Sequence, residues 1–140
     1  MKLDTYLSFD GDCRSAFAFY AHVLGGRVTA MMTFGEANAC GDLGEAARDL
    51  VMHARLELDG FALMGTDATA QYPYQPIQGA HVVVNVDEPE EAERIFTALS
   101  EGGRIEMPMQ ETFWARRYGI AVDRHGVPWM VNCAQPGFAR

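Results

Sequence analysis

The sequence predicts an α+β protein made of two tandem βαβββ modules, and three observations lead to this prediction. A pattern of strand, turn, amphipathic helix and Gly-Gly pair occurs twice, with corresponding residues 76 positions apart. Each copy continues into alternating apolar segments separated by turn residues, which is typical of strands. One half cannot bury both faces of its sheet, whereas two halves can form a curved mixed-sheet cup with a small-molecule pocket at their seam. We therefore expect one domain, residues 1–140, with module one at about 3–67 and module two at about 80–134.

Module one begins with a strand over Thr5–Phe9. The next helix should start near Asp12, because its carboxylate can cap free backbone N–H groups, and should end at Gly25-Gly26. The buried stripe of this helix has i, i+3, i+4 spacing and comprises Ala16, Phe19, Tyr20, Val23 and Leu24. Three strands are expected to follow, at Val28–Phe34, Val51–Leu58 and Phe61–Met64. Asp59-Gly60 is typical of a two-residue hairpin turn between the last two.

Module two repeats this order, starting with a strand over His81–Asn85. Asp87 and Glu90 stand at capping-box spacing, and Pro89 fits the first helical turn, where a missing N–H costs little. The buried stripe of the helix is Ala92, Ile95, Phe96 and Leu99. Strands are expected at Arg104–Met109, Tyr118–Val122 and Pro128–Cys133, with a turn ending at Gly126 before the last.

Two segments do not fit the repeat. Gly35–Asp49 is rich in Gly, Ala and acidic residues and is expected to hold a short helix at Leu43–Asp49. Thr66–Gly79 contains the prolines of a semi-rigid linker between the modules.

Composition excludes several function classes. The formal net charge of −8 repels phosphate backbones and anionic membrane surfaces, so we expect neither nucleic acid nor membrane as a partner. The three cysteines share no CxxC spacing and are read as free thiols. The first residues lack the apolar core of a signal peptide, and no apolar run reaches membrane-spanning length. The expected location is the cytoplasm.

The order of motifs resembles the vicinal-oxygen-chelate superfamily (glyoxalase, bleomycin resistance protein, dioxygenase), and within it the PhnB-like branch. The resemblance is carried by Tyr6–Gly11, Ala16–Tyr20, Gly25-Gly26, Val51–Leu56, Leu63–Asp67, Phe113-Trp114, Tyr118-Gly119 and Val122–Asn132. It implies a glyoxalase-like fold. It also implies homodimers and a small-molecule ligand in the cup, with a divalent metal in the catalytic members.

The resemblance places metal ligands on the first and last strands of each module, at Thr5, Met64, His81 and Met130. Among these only His81 is a ligand type that Mg²⁺, Mn²⁺, Ni²⁺ or Zn²⁺ prefers. We therefore expect no metal and no cofactor, with a divalent metal as the minority alternative. His81 is the best candidate for a catalytic group, as a general base or hydrogen-bond donor, although a structural histidine is the competing interpretation.

Strand alternation puts Thr5, Leu7 and Phe9 on one face, and His81, Val83 and Asn85 on the matching face of module two. The predicted ligand pocket adds residues from other strands and one loop: His53, Met64, Trp114 and Met130.

Two functions remain open. The chain is a binding protein with an apolar and aromatic cup, or it is a metal-dependent lyase, isomerase or dioxygenase-type enzyme of the same superfamily. Drug sequestration is one form of the binding hypothesis, and the net charge of −8 would suit a cationic ligand. A methyltransferase is excluded, because the chain has no Gly-rich strand-to-helix loop for the adenosyl cofactor.

Overall fold

The computed structural model describes residues 1–138 and divides the chain into two compact units, Met1–Gln75 and a second that begins at Pro76. The first contains β1 (Thr5–Phe9), α1 (Cys13–Leu24), β2 (Arg27–Thr33), β3 (Val51–Leu58) and β4 (Phe61–Asp67). The second contains β5 (Val82–Asn85), α2 (Pro89–Ser100), β6 (Arg104–Gln110), β7 (Ala115–Val122) and β8 (Pro128–Ala134). The predicted α+β fold of two tandem βαβββ modules is confirmed.

Both sheets have the same topology. Module one has the strand order β1-β4-β3-β2 and module two the order β5-β8-β7-β6. The first strand pairs in parallel with the last, while the other neighbours are antiparallel. Because the chain must cross over to make the parallel pair, each module needs its helix between the first two strands.

Each α-helix packs on one face of its own sheet. In module one, Phe9 from β1 lies against Phe17 and Tyr20 of α1, with ring centroids 6.0 and 6.4 Å apart. Gly65 permits this close packing, because a Cβ there would lie 2.7 Å from Phe17 Cε2. In module two the corresponding close approach is at Gly119, where a Cβ would lie 2.7 Å from Phe96 Cε2. The face of each sheet opposite its α-helix is called the helix-distal face below.

The predicted side-chain cap of α1 is wrong. Asp12 is the N-cap of α1 but makes no side-chain capping bond. The carboxylate comes instead from the end of β4: Asp67 accepts hydrogen bonds from the Cys13 and Val51 N–H groups, at 2.9 and 2.8 Å. In α2 the N-cap is Glu88, which makes no side-chain capping bond, and Pro89 opens the helix as expected. The capping box of Asp87 and Glu90 stays a prediction. A cap supplied from a distant strand has no local sequence signature.

Several boundaries differ from the prediction. β4 continues through Thr66 to Asp67, so the linker starts later than expected. The short helix expected at Leu43–Asp49 is replaced by two 3₁₀ turns, Gly41–Leu43 and Glu45–Ala47. In α1, Phe17 is fully buried while Phe19 is only half-buried.

The turn predictions hold. Asp59 and Gly60 both have positive φ, 49° and 82°, as the two-residue hairpin requires. No helix among residues 1–138 is long and apolar enough to cross a membrane.

Candidate functional site

The helix-distal face of module one is formed by alternate residues of three strands. In the sheet register Tyr6 lies beside Met64, which lies beside Arg55. These side chains are half-buried or exposed, whereas Leu7, Ala54 and Leu63, which alternate with them, are buried. The face comprises Tyr6, Ser8, His53, Arg55, Met64 and Thr66.

A tyrosine–histidine pair stands on this face. The Tyr6 hydroxyl lies 3.1 Å from His53 Nδ1, and the two rings stack with centroids 5.8 Å apart. Burial, and to a lesser extent the nearby Cys13, raises the pKa of Tyr6. The phenol therefore stays protonated at neutral pH and can donate to the imidazole.

Arg55 is held by two neighbours on the same face. Its Nε donates to Glu57 Oε1 at 2.8 Å, and its Nη1 donates to Met64 Sδ at 3.4 Å. The hydrogen bond from Arg55 lowers the pKa of Glu57. Arg55 and Glu57 also line a groove of about 350 Å³ near the β3–β4 hairpin. None of the predicted pocket residues lines that groove, so it does not support the predicted site.

The structure corrects the predicted face of β1. Leu7 and Phe9 are 7% and 0% exposed and belong to the core under α1. Thr5 shares their side of the strand but is exposed at its start. The residues of β1 on the helix-distal face are therefore Tyr6 and Ser8. A one-residue error in assigning a face moves every side chain of a strand to the other side, and this is what occurred here.

In module two the helix-distal face contains three of the predicted pocket residues, Val83, Asn85 and Met130. Val83 pairs with Met130, and Met130 with Ile120. In the next row Asn85 pairs with Asn132, and Asn132 with Tyr118. The Tyr118 hydroxyl donates to Met130 Sδ at 3.4 Å. Trp114 joins this group through an edge contact with Tyr118, at a centroid distance of 5.4 Å. The face comprises Val83, Asn85, Tyr118, Ile120, Met130 and Asn132.

An asparagine pair on this face is incompletely bonded. Asn132 Nδ2 donates to Asn85 Oδ1 at 3.0 Å. Asn132 is 8% exposed, and its Oδ1 is buried without a hydrogen-bond partner among residues 1–138. Buried side-chain oxygens nearly always have a partner, so this acceptor requires an explanation.

Equivalent residues of the two modules are 77 positions apart in the first strand and 76 positions apart in the helix. The parallel pairs Thr5–Leu63 and Val82–Trp129 fix the strand equivalence. Tyr6 thus corresponds to Val83, and the counterpart of His81 is Asp4 rather than Thr5. His81 itself is exposed and precedes β5 instead of belonging to it.

The last-strand positions do not suit the divalent metal of the superfamily's catalytic members. Met64 and Met130 correspond to each other, and each thioether already accepts a hydrogen bond, from Arg55 and Tyr118 respectively. Thioethers are soft ligands that Mg²⁺, Mn²⁺ and Zn²⁺ sites rarely use. Within the described residues no group of three His, Cys, Asp or Glu side chains could hold a metal. The side chains present therefore do not fit that metal.

The predicted pocket omitted several residues of these faces, among them Tyr6 and Asn132, which take part in the two side-chain pairs described above. Tyr6 was on the rejected side of β1, and the buried partners Phe17 and Tyr20 were the signal that could have fixed the correct side. Asn132 was hidden in an apolar strand segment, and only its pairing with Asn85 across β5 and β8 distinguishes it.

The fold agrees with that of known proteins. The family model of the glyoxalase/bleomycin resistance protein/dioxygenase superfamily matches residues 2–131, and the chain belongs to this superfamily. It is 35% identical to Protein YjdN of Escherichia coli K12 over 142 residues, covering 94% of this chain and 95% of YjdN. YjdN is PhnB-like, so the predicted branch is confirmed too.

Solved structures give the same result. Protein PA1353 from Pseudomonas aeruginosa is 47% identical with a TM-score of 0.84, covering 95% of this chain and 97% of PA1353. The PhnB protein from Bacillus cereus has a TM-score of 0.80 at 24% identity, covering 96% of this chain and 100% of its own. The latter similarity shows the fold alone.

Proposed function

We propose that this protein binds a small organic molecule against the helix-distal faces of its sheets and needs no divalent metal to do so. The observation that carries the proposal is the module-two face, where Trp114, Tyr118 and Met130 form a polarizable surface beside an incompletely bonded amide pair. Apolar and aromatic side chains with a few polar groups are the usual lining of small-molecule sites.

Methionine gives this surface adaptability. The thioether of Met130 is flexible and polarizable, and it interacts favourably with aromatic ligands. The exposed Val83 next to it adds apolar area. Such a surface favours ligands with a flat or apolar body over small, highly charged metabolites. The expectation that both modules line one cup stays a prediction.

A ligand panel measured by thermal shift tests the proposal. Binding of a ligand to the native state alone raises the melting temperature. Trp114→Ala and Val83→Glu should each weaken binding of a panel hit by about tenfold or more, because burial of an aromatic side chain at a binding surface contributes about 1–3 kcal/mol.

Phe61→Ala is the control, since it removes an aromatic ring from the module-one hairpin, away from the proposed surface. Equal binding by all four proteins, with no hit sensitive to Trp114 or Val83, would contradict the proposal.

Catalysis is the second candidate, and the Tyr6–His53 hydrogen bond favours it. A phenol that donates to Nδ1 fixes the imidazole tautomer with its proton on Nε2, which can then donate to a ligand oxygen. This arrangement would need no metal. Loss of turnover in both Tyr6→Phe and His53→Ala, with ligand affinity retained, is the result that would make catalysis the leading function.

A homodimer in the cytoplasm is part of the same proposal. The three cysteines are free thiols, which fits a reducing compartment. Tyr72 and Phe113 are both 79% exposed and offer aromatic surface that a partner subunit could cover. Analytical ultracentrifugation should give a dimer mass, and a monomer mass at all concentrations would contradict this part.

A further inference from the structure

The side-chain amides of Asn85 and Asn132 form a pair on the helix-distal face of module two. Asn132 uses Nδ2 to reach Asn85 Oδ1, and its own Oδ1 is buried with no partner among the described residues. An asparagine amide keeps its shape when it rotates by 180°, so the same pair can form with both amides turned over. The pair would then leave Asn132 Nδ2 unpaired instead. In either assignment one buried polar atom of Asn132 lacks a partner.

The equivalent position in module one has no such defect. Thr66 corresponds to Asn132, and its hydroxyl lies within hydrogen-bond distance of the backbone oxygens of Val51 and Asp67, at 3.1 and 3.2 Å. At the same position of the fold, the polar side chain is therefore fully hydrogen-bonded in module one, whereas in module two it lacks one hydrogen-bond partner. A structural role alone would favour the satisfied arrangement, because an unpaired buried polar atom destabilises the protein.

The two asparagines differ in their freedom to move. Asn132 is 8% exposed and its backbone oxygen accepts from Val86 N at 3.0 Å, whereas the side chain of Asn85 is exposed at the edge strand β5. If Asn85 turns aside, Asn132 Nδ2 loses its partner as well, so both polar atoms of the amide need one. That amide offers one acceptor and one donor.

We infer that the Asn132 amide is the polar anchor of the ligand, and that it binds an uncharged group with adjacent donor and acceptor, such as a carboxamide. This inference rests on the proposed function, since it assigns the ligand class of the same surface. A carboxamide pairs with both atoms of Asn132, replacing Asn85 and supplying the missing bond. A carboxylate has no proton to donate to Oδ1, and an ammonium group has no acceptor for Nδ2.

The ligand body follows from the neighbours of the anchor. Tyr118 lies beside Asn132 in the register, with Trp114 packed on its ring and Met130 bonded to its hydroxyl. An aromatic or apolar group attached to the carboxamide would contact these side chains. Aromatic carboxamides are therefore the simplest ligands of the predicted class.

Benzamide, benzoate and benzylamine are the probes, because they share a ring and differ only in the polar group. Titrations are followed by NMR on the ¹⁵N-labelled full-length protein, using the side-chain amide signals of asparagine. Benzamide should bind about tenfold more tightly than the other two. This is the factor expected when a ligand forms one additional hydrogen bond between uncharged groups to a buried acceptor. Equal affinities of the three probes would overturn the assigned ligand class.

Two matched variants locate the effect. Asn132→Leu should weaken benzamide binding about tenfold while leaving the melting temperature of the free protein unchanged or higher. Thr66→Val, at the equivalent position of module one, should lower the melting temperature, because its hydroxyl is bonded within the protein. If Asn132→Leu lowers the melting temperature and leaves the affinity intact, the asparagine is structural and the inference is wrong.

The failure of this inference is distinguishable from failure of the proposed function. Probe binding that survives Asn132→Leu but is lost in Trp114→Ala would leave the binding surface in place and remove only the anchor. Benzamide binding insensitive to both variants would count against the surface itself. Absence of any shift with all three probes at millimolar concentration overturns the inference, and the thermal-shift panel then decides on the proposed function alone.

Discussion

The two modules share an element order and a strand topology, yet their helix-distal faces differ in chemistry. Module one presents a bonded tyrosine–histidine pair and an arginine held by Glu57 and Met64. Module two presents aromatic and thioether groups with one buried amide oxygen unsatisfied. The two surfaces thus differ in hydrogen bonding: among the described residues, only the module-two surface has a buried side-chain oxygen without a partner. A bound molecule could supply the missing hydrogen bond there.

The modules also differ in the position of their buried carboxylate, and this gives the largest predicted effect on stability. Asp123, 3% exposed, accepts from His125 N, Val127 N and Trp129 Nε1 at 2.8 to 3.0 Å. Asp123→Ala leaves these donors without that acceptor and should lower the free energy of unfolding by about 3 kcal/mol or more. Urea denaturation measures it, and a loss under about 1 kcal/mol would contradict the assigned role.

In module one the corresponding function belongs to Asp67, which joins α1, β3 and β4 through Cys13 N and Val51 N. Asp67→Ala should cost about 2–3 kcal/mol, less than Asp123→Ala because one fewer N–H is left unpaired. The comparison is sharpened by Asp67→Asn, whose single remaining oxygen can satisfy only one of the donors and should give an intermediate loss. Equal stability of Asp67→Ala and the parent protein would show that the cap is dispensable.

The glycines under the helices test the packing of the two modules. A Cβ at Gly65 would meet Phe17 and Phe9, and a Cβ at Gly119 would meet Met109 and Phe96. Gly65→Ala and Gly119→Ala should each destabilise by about 1–3 kcal/mol, because rings or a thioether must shift. Gly60→Ala is a useful contrast: it has open space but φ of 82°, so its loss comes from backbone strain alone. A stabilising effect at Gly65 would mean that the helix stands further from the sheet.

Alkaline pH should affect module one through Cys13, which occupies the helix position that Pro89 holds in module two. Burial, and then the charge of Asp67, raises the pKa of the Cys13 thiol to about 12. The folded state therefore holds this proton more tightly than the unfolded state. The resulting contribution to the free energy of unfolding is fully present below about pH 9 and is lost as the pH rises toward 12. Denaturation midpoints between pH 8 and 11 should fall less steeply in Cys13→Ala, and parallel curves for the two proteins would contradict this.

The smallest effect is expected at the tyrosine–histidine pair. Tyr6 is 50% exposed, so Tyr6→Phe should change stability by less than about 1 kcal/mol, the usual net contribution of one hydrogen bond. The imidazole ¹⁵N chemical shifts of His53 at fixed pH should nevertheless change in Tyr6→Phe, because Nδ1 loses its hydrogen-bond partner. Unchanged shifts would show that the pair does not persist in solution.

The sequence was sufficient for the fold because its signals are local. Repeated amphipathic spacing, Gly-Gly ends and the Asp59-Gly60 turn each depend on neighbours in the chain. The site was only partly predictable, because a face is assigned by what packs on it. Alternation grouped Leu7 with Phe9 correctly, but only their contact with Phe17 and Tyr20 shows that this side is core. The long-range Asp67 cap and the unsatisfied Asn132 depend on pairings that no local pattern contains.

The most direct test of the central claim is the metal dependence of ligand binding. Isothermal titration of one thermal-shift hit is done with chelator-treated protein and again with excess Mn²⁺ or Zn²⁺, alongside elemental analysis of protein purified without chelator. We predict much less than one metal ion per chain, and the same dissociation constant for the ligand in all titrations. About one metal per chain, with binding abolished by the chelator and restored by the ion, would contradict it and place metal-dependent chemistry first.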